Sequence, residues 1–282
     1  MRIKSKKTTG IKPILSTIVF EMKSQMKKFY FFLGIAIIIV FLQSFLLQAL
    51  LPNYLLPNTQ AEFFNNGLTF IEFITLLAAC LFFSGIICSE FDKKTGFIVF
   101  PKINKYKLIL GKYLGNLALV VLIITVYYFF LGLLGLFFYA GPINLRFFYS
   151  YSIAILYVIA LSSFVTLFSS FMKSVNLTII STILLLLIGF NIADQIVTFV
   201  FAGDIEPLYS ITYLGRLITG ILEYPFPDPR YAELPISGMG GMGGFTFGQW
   251  ITPSVEMGIT LLVVYIIVYF ILAAYLFKRR QL

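Results

Sequence analysis

Asp194 stands in the run GFNIADQIVTF, with Asn191 three residues before it and Gln195 directly after. A carboxylate beside two amides in an apolar segment is a candidate lining for a translocation path or an outer gate. The plainer reading is a carboxylate close to the lipid headgroups that hydrates easily. Other chemistry is sparse. The chain has no histidine, so the usual general base and the usual metal ligand are both missing. No Ser/His/Asp or Cys/His arrangement can form. Cys80 and Cys88 share one apolar run and make no disulfide framework. Met239 and Met242 in GMGGMGG offer two thioethers, but without His or Cys beside them a flexible loop explains them better than a soft-metal site. The fragment LGKY, residues 110–113, lacks the first glycine of a phosphate-binding loop and has Tyr113 where that loop needs Ser or Thr for magnesium. The chain is therefore expected to be non-catalytic, with no cofactor and no ATP hydrolysis of its own.

The remaining polar stretch is SEFDKKTGFIVFPKINKYKLILGK, residues 89–112, with six lysines between two apolar runs. Glu90 and Asp92 open it, Lys93 and Lys94 follow, then Thr95 and Gly96, and Pro101 can start a helix in its first turn. From there Ile103, Tyr106, Leu110 and Leu114 form one stripe, with Lys105 and Lys112 opposite. This predicts a short helix, a turn, and an amphipathic helix leading into the next apolar run.

The elements that hold these residues are apolar. Of 282 residues, 59% are hydrophobic and only 12% charged, about half the charged share of a soluble domain. Apolar runs of roughly 20 residues cross the hydrocarbon core of a bilayer. Six are long enough: residues 29–51, 70–88, 114–138, 148–171, 177–201 and 255–277. An all-α membrane protein forming one transmembrane domain is expected. Alternating connectors put 18 of the 21 Lys and Arg residues on one side, together with both termini. The positive-inside rule makes that side cytoplasmic. Basic clusters beside apolar runs also explain the net charge of +9 through the membrane surface, with no need of nucleic acid.

Residues 10–28 carry Ile14, Ile18, Met22 and Met26 at a spacing of four, widened by Leu15 and Val19, and predict an amphipathic helix on the inner leaflet. The start, MRIKSKKTTGIK, is not expected to be a removable signal peptide. In the outer connector, residues 202–254, Leu208, Ile211, Leu214, Leu217, Ile218 and Leu222 predict one or two short helices. The following PFPDPRYAELPISGMGGMGG is expected to be irregular. Ser162, Ser163, Thr166, Ser169 and Ser170 in the fourth run suggest close helix approach.

Glu90, the Thr95-Gly96 pair, Pro101, Lys105 and the closing LILGK make this connector, residues 89–113, resemble the second connector of type-2 ATP-binding cassette permeases. The six-run layout, the amphipathic N-terminal helix and the large outer connector match as well. The resemblance spans nearly the whole chain but is specific only over residues 90–112. Thr95 precedes Gly96 where many members have the reverse order, and Lys105 stands where arginine is common. The resemblance implies a permease subunit of an exporter in the cytoplasmic membrane, paired with a second permease copy in a homo- or heterodimer. A separate cytoplasmic ATPase, holding ATP and Mg, would dock on Glu90, Asp92, Lys93, Lys94, Thr95, Gly96, Pro101 and Lys105. An ion-gradient transporter is the alternative, although no internal repeat is visible. A non-transporting scaffold or immunity protein is the other.

Overall fold

The computed structural model describes residues 11–46, 57, 59–92, 104–139, 141–201, 203–223, 226–227, 230–236 and 245–280. Among these, six helices are long and apolar enough to cross a membrane: Lys12–Phe45, Gln60–Asp92, Lys105–Phe138, Leu145–Phe171, Val175–Val200 and Val255–Arg279. They are spans one to six, each lying on an expected apolar run, and the protein is an all-α membrane protein. The second and fourth spans form the centre, with 67% of the apolar window of each buried. The fifth and sixth bury only 17% and 11% and lie at the periphery.

Spans one and three are 34 residues each. At 1.5 Å per residue each is ~50 Å long, against ~30 Å of hydrocarbon. The excess lies at their lysine-rich inner ends. The two run parallel: Asn116 donates to Glu21, while the Phe41 ring packs at a tilt against Phe130 and the Phe45 ring against Phe138. Glycine permits the close approach. A Cβ on Gly111 would lie 2.7 Å from Thr17 Cβ, and one on Gly115 would lie 3.0 Å from the Ile18 carbonyl oxygen.

The expected amphipathic segment is continuous with the first span. Helix Lys12–Phe41 starts with Pro13 in its first turn and continues unbroken into a π-helical turn, Leu42–Leu46. Ile14, Ile18, Met22 and Met26 are half-buried, and Thr17 and Glu21 are buried beside the third span. Leu15, Val19 and Phe20 face outward.

The second span is interrupted twice, at residues 69–70 and 84–87. Hydroxyls from neighbouring spans serve the backbone near both breaks. Tyr127 donates to the Gly67 carbonyl. Ser169 donates to the Ser84 carbonyl at 2.7 Å and accepts from the amides of Ile87 and Cys88 at 3.0 and 3.1 Å. Ser162, Ser163, Thr166, Ser169 and Ser170 of the fourth span are buried, and Ser162 meets the Tyr113 hydroxyl of the third span at 2.7 Å.

The outer connector folds into two short helices, Ile211–Gly215 and Leu217–Gly220, with Ile211, Leu214, Leu217, Ile218 and Leu222 buried as expected. The stretch expected to be irregular is not so throughout. Tyr231–Ile236 and Phe245–Trp250 pair as an antiparallel hairpin, Tyr231 opposite Trp250. Trp250 Nε1 ties the hairpin to the Gly203 carbonyl at 3.1 Å. Met239 and Met242 lie outside the described residues.

Candidate functional site

Two polar constellations lie at opposite ends of the bundle. The inner one starts where the second span ends, in the short helix Cys88–Asp92. Glu90 there is buried, while Asp92 is exposed. The third span starts at Lys105, after Asn104, whose side chain caps it by accepting from the Tyr106 amide at 3.0 Å. The helix therefore begins beyond Pro101. Two turns on, Lys112 forms an ion pair with Glu90, the side chains being 11% and 9% exposed, and donates to Ser89 Oγ at 3.3 Å. The two ends of the 89–113 connector are thus clamped together.

The stripe of Tyr106, Leu110 and Leu114 lies opposite Lys112, and it is the stripe that faces outward. Those three are 50%, 40% and 38% exposed, while Lys112 points inward. Outside a membrane helix lies hydrocarbon, so an apolar stripe can face out and a charge can be held inside by its partner.

The sixth span closes the group. Phe277 packs edge-on to Phe91 and Tyr106, with Lys105 Nζ 5.7 Å from its ring centre. The Arg280 guanidinium lies over the Phe91 ring at 4.1 Å and donates to the Ser170 carbonyl at 3.0 Å. The inner ends of spans two, three, four and six are therefore coupled. Lys93, Lys94, Thr95, Gly96 and Pro101 lie outside the described residues.

The outer constellation surrounds a cavity of about 80 Å³. Asn191, Asp194, Gln195 and Thr198 of the fifth span form one wall, and the connector and hairpin close it with Tyr213, Arg216, Gln249 and Trp250. Asn191 and Asp194 thus line the same cavity. Asp194 is not the readily hydrated carboxylate that its position suggests. It is 8% exposed and accepts from Ser210 Oγ at 2.9 Å. Ser210 is itself held by the Tyr213 amide, which donates to its oxygen at 3.3 Å.

Arg216 donates to the Trp250 carbonyl at 2.8 Å and lies 5.7 Å from the Tyr213 ring centre. With the Gln249 amide turned so that its oxygen faces the guanidinium, Nη1 and Nη2 donate to it at 3.1 and 3.3 Å. Beside it, Arg230 and Glu206 pair at 2.7 Å. Tyr213 donates to the same carboxylate at 2.9 Å. Burial, and then Glu206, raise the Tyr213 phenol far above its ordinary range. Burial and the neighbouring Asp194 charge push Tyr209 up to about 12.

Sequence reasoning passed over Glu72, which lies well inside the second span as folded. The Arg216 charge acts on Glu72, whose own charge reaches Tyr128 and Tyr157. Its position three residues into the expected apolar run made it look like a flanking residue. Cys80 and Cys88 are free and buried, and no group of three or more His, Cys, Asp or Glu able to hold a metal occurs among the described residues. Neither constellation has the parts of a nucleophile and its base; the inner one can transmit force and the outer one can bind. Compared with known protein families and with characterised proteins, the chain matches none.

Proposed function

We propose that this chain is the transmembrane permease subunit of an ATP-binding cassette exporter in the cytoplasmic membrane, working as a dimer with a second permease. The observation that carries the reading is the buried Glu90–Lys112 pair. It clamps the two ends of the connector that resembles the ATPase-docking element, and Phe91 and Phe277 join that clamp to the sixth span. A push on the connector would then move several spans together instead of bending one loop. ATP and Mg belong to the partner chain, and no cofactor is assigned to this one. The test is purification of the full chain from its native membrane. A soluble ATPase should be retained, and Lys94→Glu should reduce its recovery while leaving thermal stability unchanged. Absence of any ATPase would remove the basis of the reading.

A second reading, an ion-gradient transporter, draws on one observation: Asp194 and Glu72 are both carboxylates inside spans, sharing the field of Arg216. Uptake into proteoliposomes driven by a cation gradient without ATP would favour it.

A further inference from the structure

The geometry points to the outer cavity as a binding site for a primary ammonium group, with Asp194 as its acceptor. This does not depend on the transport reading. Asp194 is more than nine-tenths buried and lines the cavity, and its two oxygens differ. Oδ2 accepts from Ser210, whereas Oδ1 has no hydrogen-bond partner among the described residues. Nearby hydroxyls do not serve it. Thr198 donates to the backbone carbonyl of Asp194 at 2.8 Å. The Tyr209 phenol lies near enough to interact with the carboxylate as a donor, yet it makes no hydrogen bond of normal geometry to Oδ1. A buried carboxylate oxygen left unmatched is costly, and an N–H donor removes that cost.

Charge selects a cation. Asp194 and Glu72 both lie in the field of Arg216, and neither forms an ion pair with it among the described residues. The guanidinium is already engaged by the Trp250 carbonyl and Gln249. Glu206 and Arg230 neutralise each other. The Arg216 guanidinium therefore does not neutralise Asp194 by direct contact, which leaves room for a positive charge beside Oδ1.

Size and donor set narrow the class. A volume of about 80 Å³ is far below the ~300 Å³ of the smallest drug-sized pockets, yet it takes a methylammonium-sized head. A divalent ion would want several carboxylate oxygens, and no acidic cluster of three exists among the described residues. The rings of Trp250 and Tyr213 line the same space and favour an organic cation. The unmatched Oδ1 further requires a donor, which a quaternary ammonium lacks. Asp194 lies six residues before Val200, where the span ends, about 9 Å along the axis. This is close to headgroup depth. A free amine and the ethanolamine head of a lipid are therefore the two sources of one chemistry.

Trp250 lines the cavity and is the chain's single tryptophan, so it reports binding directly. The full chain in phosphatidylcholine nanodiscs is titrated with methylammonium chloride, against sodium chloride and tetramethylammonium chloride at equal concentration. The expected result is a saturable change in Trp250 fluorescence with methylammonium alone. Asp194→Asn should raise half-saturation at least tenfold, and Asp194→Glu should recover part of the loss. If Asp194→Asn fails to fold, the wild-type comparison of the three salts still decides. A flat wild-type titration, or an equal response to tetramethylammonium, overturns the proposal. Repeating the titration in phosphatidylethanolamine discs identifies the source. A suppressed response means that the lipid head already occupies the site, an unchanged one means a free amine, and either supports the site.

Discussion

Replacing Lys112 by Met should destabilise the fold severely, while replacing both members of its ion pair should not. The Lys112 and Glu90 side chains are 11% and 9% exposed, so water screens them little. At contact distance and an effective dielectric of 20 their attraction is about 5 kcal/mol, most of it offset by the cost of taking both charges out of water. Lys112→Met keeps the length and apolar volume of the side chain but leaves Glu90 without this cation. Breaking a buried pair from one side costs about 3 kcal/mol or more, which is roughly a hundredfold in the unfolding equilibrium. Glu90→Gln together with Lys112→Met removes both charges, and paired replacements of this kind are often near neutral. The expected coupling energy is therefore about 3 kcal/mol or more. Unfolding of the four proteins in mixed micelles, read by circular dichroism against denaturing detergent, measures it. A coupling energy below about 0.5 kcal/mol would show that the pair is solvated and no clamp, and the reasoning about the connector would fail.

Ser169→Ala should cost about 1–3 kcal/mol, because the Ile87 and Cys88 amides would lose a buried acceptor; a thermal melt in detergent matching wild type would contradict this. Gly115→Val should separate the inner halves of spans one and three, since even a Cβ comes within 3.0 Å of the Ile18 carbonyl, at a cost of about 1–3 kcal/mol. A melting midpoint in detergent equal to that of wild type would contradict it. Tyr209, pushed up to about 12, keeps its proton in the folded state where the unfolded chain already loses it. The folded state binds more protons there, so stability should fall as pH rises from about 10 to 12. Ultraviolet titration of wild type and Tyr209→Phe checks this, and equal alkaline profiles would refute it.

The spans could be read from sequence because about 20 apolar residues in a row leave few alternatives to crossing a bilayer. The facing of the third span could not. Its inner turns obey the same period whether the apolar stripe meets protein or lipid, and only packing showed that Lys112, and not Leu110, faces inward. The hairpin had a signal, the alternation in YAELPI and FTFGQW, but Pro235 and the Gly-rich residues between the strands concealed it. Asp194 was visible as a charge in an apolar run. Its burial was not, since that depends on Ser210 and Arg216, sixteen or more residues away in another element.

The two breaks of the second span connect the polar sites to the apolar frame. Inside a bilayer a broken helix is tolerated only where neighbours satisfy the freed backbone groups. Here a tyrosine of the third span serves Gly67 and a serine of the fourth serves residues 84–88. Glu72 follows the first break and Glu90 the second. An uninterrupted helix would carry both carboxylates at fixed angles about one axis. The breaks let each be aimed independently, Glu72 into the field of Arg216 on the outer side and Glu90 against Lys112 on the inner side. Tyr127 and Ser169 are thus what makes the two breaks tolerable, and through the second break Ser169 supports the placement of Glu90 against Lys112.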